Sequence, residues 1–252
     1  MAKSKYEYVK QFEMEQQILP ESWFVVRLDG QGFSKFTTAH KFQKPNDKRA
    51  LDLMNSCASE IMLKVPDIVL AYGQSDEYSF VFSKKSKYFT RRSSVTSSQF
   101  ASAYVFNWSK YFPDVPLLYA PSFDARIAIY PTDRHLRDYL CWRQADCHIN
   151  NLYNTCFWEL VKSGVSNKQA EIDLCKTVSS EKNELLFSKF GINYNAIDEI
   201  YRKGSVLIRK VEYFNVTTPD GSAGKRVKNS IQILHCDIIR DKFWSEHNIL
   251  DL

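Results

Sequence analysis

The chain has 252 residues, of which 44% are hydrophobic and 25% charged, and a net charge of +5. That is enough to bury one large core or two modest ones, and the composition excludes a disordered or fibrous protein. No apolar run approaches the roughly 20 residues of a membrane helix, and the polar start MAKSKYEYVKQFEMEQQ lacks an apolar signal core, so neither a membrane nor a secretory destination is expected.

In chain order, residues 4–18 predict an amphipathic helix, with Tyr8, Phe12 and Glu15 at helical spacing. Residues 22–28 predict a buried strand that ends in Arg27, Asp29 and Gly30. GQGFSKFTT leads into a loop containing Lys44, Pro45, Asn46 and Asp47. Asn46 or Asp47 would cap a helix over 48–64, whose apolar positions repeat at three and four. DIVLAY (67–72) and EYSFVF (77–82) predict a hairpin through the turn GQSD, with Asp76 opening the second strand. Residues 88–112 predict a long helix stopped by Pro113, and 123–130 a strand ended by Pro131. Residues 132–201 predict helix almost throughout. Two strands near 204–214 and 228–238 follow, joined by TTPDGSAGKR.

The order β-α-β-β-α-β over residues 22–130 is the split βαβ, ferredoxin-like pattern, in which the first and third strands lie side by side. The fold class is therefore α+β: a ferredoxin-like βαββαβ unit, a largely helical C-terminal half and a late β-hairpin. We divide the chain into residues 1–135 and a helical and hairpin region, 136–252, packed on it as one compact unit.

The six cysteines, Cys57, Cys141, Cys147, Cys156, Cys175 and Cys236, form no CxxC pair and have no zinc-like spacing, which reads as reduced thiols in an intracellular protein. Lysines and arginines cluster at 84–92 and 202–228. A mildly basic chain is weak support for a polyanionic partner, and either cluster alone reads as solvated surface.

Asp29 carries the sharper signal. If its strand extends to residue 29, Arg27 and Asp29 share a face, and Gly30 lets a ligand approach the backbone. The split βαβ topology brings Asp76 beside Asp29. Two carboxylates at the centre of a sheet repel unless a cation sits between them. Mg²⁺, which takes one or two carboxylates plus substrate phosphates, is the suitable ion. A turn carboxylate is the bland reading of Asp29 alone; the pair raises the metal reading to equal weight.

RLDG (27–30), KPND (44–47), AYGQSDEYSF (71–80) and above all DCHINNLYN (146–154) resemble the tRNA-histidine guanylyltransferase family, and the likeness runs to at least VLIRK at 206–210. The resemblance implies a fold like the palm of template-dependent polymerases and nucleotide cyclases, with residues 1–135 as the catalytic domain. It implies guanosine addition to the 5′ end of tRNA-His, in the 3′-to-5′ direction. ATP would adenylylate the 5′-phosphate, the 3′-hydroxyl of GTP would displace AMP, and the terminal pyrophosphate would be removed. Asp29, Gly30 and Asp76 match the family's metal ligands for two Mg²⁺ ions, with Glu77 beside them as a further catalytic carboxylate. The resemblance assigns nucleotide and triphosphate handling to Arg27, Gln31, Gly32, Phe33, Ser34, Lys44, Asn46, Asp47, Ser75, Arg92, Arg126 and Asn154. Asp47 also reads as a helix cap, and Arg126 as facing a phosphate in preference to a salt bridge.

Asp146 and His148 are implied in tRNA contact, including the anticodon. Lys182, Lys203 and Lys210 are further candidates whose bland reading is solvated surface. One monomer would not span both ends of a tRNA, and the resemblance implies a homotetramer, a dimer of dimers, in the cytoplasm or nucleus. The chain departs from the family after Arg92: RRSSVTSSQF lacks the usual lysine and is shorter by roughly one helical turn. Other expectations on the same palm are a nucleotide cyclase, against which HINNLYN argues, and a templated 3′-to-5′ tRNA-repair polymerase with the same catalytic parts. A non-enzymatic ferredoxin-like RNA-binding module would carry aromatics on its central strands, where this chain carries Asp29 and Asp76.

Overall fold

The apolar run WFVV, followed by Leu28, makes β1 (Trp23–Gln31) a strand with two buried faces. Phe24, Val26 and Leu28 enter one core, and Trp23 and Val25 the other. β1 is flanked by β3 (Glu77–Phe82) and β4 (Ser122–Tyr130) in a six-stranded sheet. The sheet is completed by β2 (Ile68–Gln74), β5 (Ser205–Thr217) and β6 (Ala223–Leu234), in the order β4-β1-β3-β2-β5-β6. Every pairing is antiparallel. The first four strands have the predicted ferredoxin-like order, and the late hairpin extends the sheet from β2. This computed structural model describes residues 4–12, 18–86, 92–217 and 223–251.

The first core lies under α1 (Phe33–Ala39), α2 (Lys48–Lys64) and α3 (Arg92–Tyr111). Met54, Cys57, Ala58 and Ile61 supply the buried face of α2; Phe100, Tyr104 and Trp108 that of α3. Each fully buried large apolar side chain contributes about 1.5–3 kcal/mol, so this helical layer fixes β1 firmly. On the opposite face, Leu136, Tyr139 and Leu140 of α4 (Asp133–Lys162) meet Phe243 and Trp244 of α8 (Asp241–His247). The far half of α4 carries a satellite core with α5 (Asn167–Leu174) and α6 (Ser179–Phe190). A short α7 (Glu199–Lys203) leads into β5. Among the described residues no helix is long and apolar enough to cross a membrane, and the six cysteines are unpaired.

Two predicted elements are corrected and one is added. Where a helix over 4–18 was expected, the structure has a 3-10 turn, Glu7–Phe12, with Tyr8 and Phe12 exposed; residues 13–17 lie outside the described residues. So short a helix is marginal without a surface to pack against. GQGFSKFTT, to which the sequence reading gave no element, carries α1, two turns pinned by Phe33 and Phe36. Asp76 does not open a strand: β2 runs to Gln74, β3 starts at Glu77, and Ser75 and Asp76 form the turn, with Ser75 at φ +49°.

Candidate active site

Asp29 lies on the α4 face of β1, in register with Glu77 on one side and Asp124 on the other. Arg27, two residues earlier, shares that face, as predicted. The Ser75–Asp76 turn folds against the end of β1, where the Gly30 amide donates to the Asp76 carbonyl at 3.1 Å. A Cβ on Gly30 would stand 2.8 Å from Asp76 Oδ2 and 2.5 Å from the Phe33 ring. Only glycine allows the Asp76 carboxylate to sit this close to the β1 backbone.

Burial, together with the neighbouring Asp29 carboxylate, raises the Asp76 pKa, against the Ser75 hydroxyl at 3.0 Å and the Lys44 charge. Burial also raises Glu77, with Arg143 and Arg27 opposing. Arg143, buried on α4, donates from Nη1 to Glu77 Oε2 at 2.9 Å and from Nη2 to Asp146 Oδ2 at 2.9 Å. Such a carboxylate concentration is costly in the absence of a cation and suits a site that receives one.

These groups form the floor of a cleft of about 480 Å³, within the range of small-ligand sites. The loop before α2 makes one wall. Burial lowers the Lys44 pKa, while Asp76 and Asp47 oppose that loss, and its ammonium donates to Thr37 Oγ1 at 3.0 Å. Asp47 serves twice. It caps α2 through the Arg49 amide at 3.1 Å, and it lines the cleft. Burial would raise its pKa, but hydrogen bonds from Arg49 and the Gln43 amide hold it below the usual carboxylate range. The opposite wall is α4, where Arg143, Cys147, Asn150, Asn151 and Asn154 form one helical stripe. Asn151 Nδ2 donates to Asn46 Oδ1 at 2.8 Å, joining the two walls.

The cleft thus gathers Asp29, Phe33, Lys44, Asn46, Asp47, Ser75, Asp76, Glu77 and Asn154 from the sequence reading, together with Asp146, which that reading gave to tRNA contact. Arg143, Asn150, Asn151 and Tyr201 line it without having been singled out. Gln31 and Ser34 are exposed beside the end of β1, and Gly32, at φ +64°, starts α1. Arg126 differs from expectation: it is exposed and its Nε meets Asp124 Oδ2 at 2.9 Å, so it is salt-bridged and has no burial cost to offset. The side chain of Arg92 lies outside the described residues.

The candidate tRNA residues are dispersed. His148 is half-buried against the Tyr194 ring at 5.4 Å; burial and Arg202 lower its pKa. The Lys182 ammonium donates to the Thr177 carbonyl at 2.7 Å beside a separate hollow. Lys203 pairs with Glu199, and Lys210 is exposed on β5.

The family model described as tRNAHis guanylyltransferase matches residues 6–131, and that described as Thg1 C terminal domain matches residues 134–240. A tRNA(His) guanylyltransferase of Schizosaccharomyces pombe is 53% identical, over 100% of this chain and 99% of its own length. A probable tRNA(His) guanylyltransferase of Bos taurus is 54% identical, over 100% and 89% respectively. The crystal structure of the Saccharomyces cerevisiae tRNA(His) guanylyltransferase superposes with a TM-score of 0.77 at 47% identity, covering 81% of this chain and 93% of that one. A bacterial guanylyltransferase-like protein in complex with ATP has the same fold, with a TM-score of 0.74 at 19% identity over 98% of this chain and 99% of that one.

Proposed function

The chain belongs to the tRNA-His guanylyltransferase family, and from that premise we infer that it adds guanosine to the 5′ end of tRNA-His, using ATP and GTP. The observation that carries this reading is the meeting of Asp29 and Asp76 on the floor of a cleft whose rim holds Lys44. A nucleotidyl-transfer site needs oxygen ligands for cations, a cationic rim for phosphate and room for a nucleotide.

The donor set fits Mg²⁺. Two carboxylates and the Gly30 carbonyl are hard oxygen ligands, and among the described residues no group of three His, Cys, Asp or Glu gathers as a self-sufficient metal site. Such a partial set suits ions that complete their shell with phosphate oxygens and water. Two Mg²⁺ ions bound there would supply charge neutralisation and activation of the attacking hydroxyl.

The chain's own residues do the rest. Lys44 offers a point charge to a triphosphate, while Ser75 and Asn154 offer neutral donors. Asn46, fixed by Asn151, and Asp47, fixed by Arg49, form a rigid edge for a base or ribose. Arg143 holds the Glu77 carboxylate in one orientation. Arg27 and Arg126, register partners on β1 and β4, add positive charge where the RNA 5′-phosphate would approach. In the sequence of steps we propose, the 5′-phosphate is adenylylated, the GTP 3′-hydroxyl displaces AMP, and pyrophosphate is then removed. A homotetramer would let His148, Lys182, Lys203 and Lys210 of one protomer hold a tRNA whose acceptor end reacts in another.

Incubation of 5′-monophosphorylated tRNA-His with ATP, Mg²⁺ and labelled GTP tests the reading. It predicts one label at the 5′ terminus, and far less on a tRNA with a different anticodon. Label at the 3′ end, or equal labelling of both tRNAs, would contradict it.

A further inference from the structure

Trp142 precedes the cleft-lining Arg143 on α4 and has no role in the site described so far. Its side chain is 53% exposed, yet it is held firmly. The Arg143 guanidinium carbon lies 3.4 Å from its ring centroid, and that guanidinium is itself fixed by Glu77 and Asp146. One ring face is thus stacked on a buried cation, and the exposed remainder turns to solvent. Tyr139 meets the indole edge-on at 6.2 Å and Tyr130 of β4 lies 5.1 Å from Tyr139. An aromatic series therefore runs from β4 to this indole.

Three arginines lie on this side of the sheet, two of them ion-paired: Arg126 with Asp124, and Arg143 with Glu77 and Asp146. Arg27 and Arg126 share the α4 side of the sheet with Asp29, and the Arg126 side chain is 67% exposed. Arg143 lines the cleft and Trp142 does not. A nucleotide filling the cleft leaves this ring to the second reactant. A rigid, half-exposed indole beside arginines, one guanidinium away from a catalytic carboxylate, matches the stacking platforms on which proteins seat nucleobases.

We propose that Trp142 is an RNA-binding residue that stacks on the terminal nucleobase of the tRNA acceptor end, seating the 5′-phosphate over Asp29. This rests on the guanylyltransferase reading of the cleft. The base is either that of the 5′ nucleotide or the first unpaired one on the 3′ strand, next to its pairing partner.

Filter binding separates these outcomes without requiring catalysis. Trp142→Ala, Trp142→Leu and Trp142→Phe are compared with wild type on three 5′-monophosphorylated tRNA-His transcripts: intact, abasic at the 5′ nucleotide, and abasic at the first unpaired 3′ base. The expected result is about tenfold weaker binding of intact transcript by the Ala and Leu variants, near wild-type binding by Phe, and an unchanged KM for GTP. One abasic transcript should lose about the same factor with wild type and nothing further with Ala or Leu, which identifies the base. Unchanged binding by Ala and Leu, losses that multiply for both abasic transcripts, or a change in oligomeric mass (an interface between copies) would overturn the proposal. A wild type that binds the transcripts but never labels them would overturn the guanylyltransferase reading, and the binding cycle would still judge Trp142.

Discussion

Asn151 and Asn46, one on a helix of the C-terminal half and the other in a loop of the N-terminal half, are hydrogen-bonded at 2.8 Å across the mouth of the cleft. Asn151 Oδ1 also accepts from the Tyr194 hydroxyl at 3.1 Å. One buried amide therefore fixes the nucleotide loop to α4 and α4 to its satellite helices. Asn151→Ala would leave the Asn46 side-chain carbonyl without its donor and the Tyr194 hydroxyl with only the His148 carbonyl, at 3.3 Å, costing about 1–3 kcal/mol. We expect a lower urea midpoint and a several-fold higher KM for GTP with a smaller effect on kcat. Equal KM values would mean that the loop needs no such tie.

Gly30 should tolerate no side chain. A Cβ there would collide with Asp76 Oδ2 and the Phe33 ring, forcing the two aspartates apart. Gly30→Ala should lower kcat by about 10²-fold, the usual scale for a misplacement of one ångström, while circular dichroism stays native. Activity within a few-fold of wild type would show that the approach of Asp76 to β1 is not required.

Asp76 destabilises the fold when no cation is supplied. Its folded pKa is raised, by burial and by Asp29, so its contribution to stability is fully present below the unfolded carboxyl value. That contribution is lost as pH rises through the folded value. Asp76→Asn removes the loss. In chelator at neutral pH the variant should melt above wild type, and the difference should shrink as the pH falls toward about 4. Mg²⁺ should raise the wild-type melting temperature and leave that of the variant nearly unchanged. A variant that melts below wild type at neutral pH in chelator would contradict the assigned direction.

Arg143 and Glu77 should be coupled. Both side chains are nearly inaccessible, and the pair is 2.9 Å apart. Breaking a buried pair from one side costs about 3–5 kcal/mol. Arg143→Met should therefore be strongly destabilising, and Arg143→Met with Glu77→Gln less so than the sum of the single changes. Additive urea midpoints would refute the coupling.

The sheet was legible because its strands are apolar runs of strand length and its turns are punctuated: FVVRL, DIVLAY, EYSFVF and RIAIY carry their own boundaries. α1 was not, since only Phe33 and Phe36 mark a helix of seven residues and Gly32 offers no side-chain cap. α8 was hidden for the same reason, its two anchors, Phe243 and Trp244, being adjacent. In the site, Asp29 and Asp76 followed from topology. Arg143, Cys147, Asn150, Asn151 and Asn154 could have been found from their spacing of three and four, a polar stripe on an otherwise core-forming helix. Tyr201 could not, because its place in the cleft depends on how α7 packs against α4. The Arg126–Asp124 pair was not legible, because it depends on β4 lying at the sheet edge, where a strand arginine stays in water.

The central claim is that Asp29 and Asp76, brought together by β1 and the β2–β3 turn, carry the chemistry. Its most direct test is labelled GTP incorporation into 5′-monophosphorylated tRNA-His by wild type, Asp29→Ala and Asp76→Ala, each with tRNA binding measured in parallel. The account predicts 5′ labelling by wild type only, with tRNA affinity retained in both variants. Labelling that survives either substitution would contradict it.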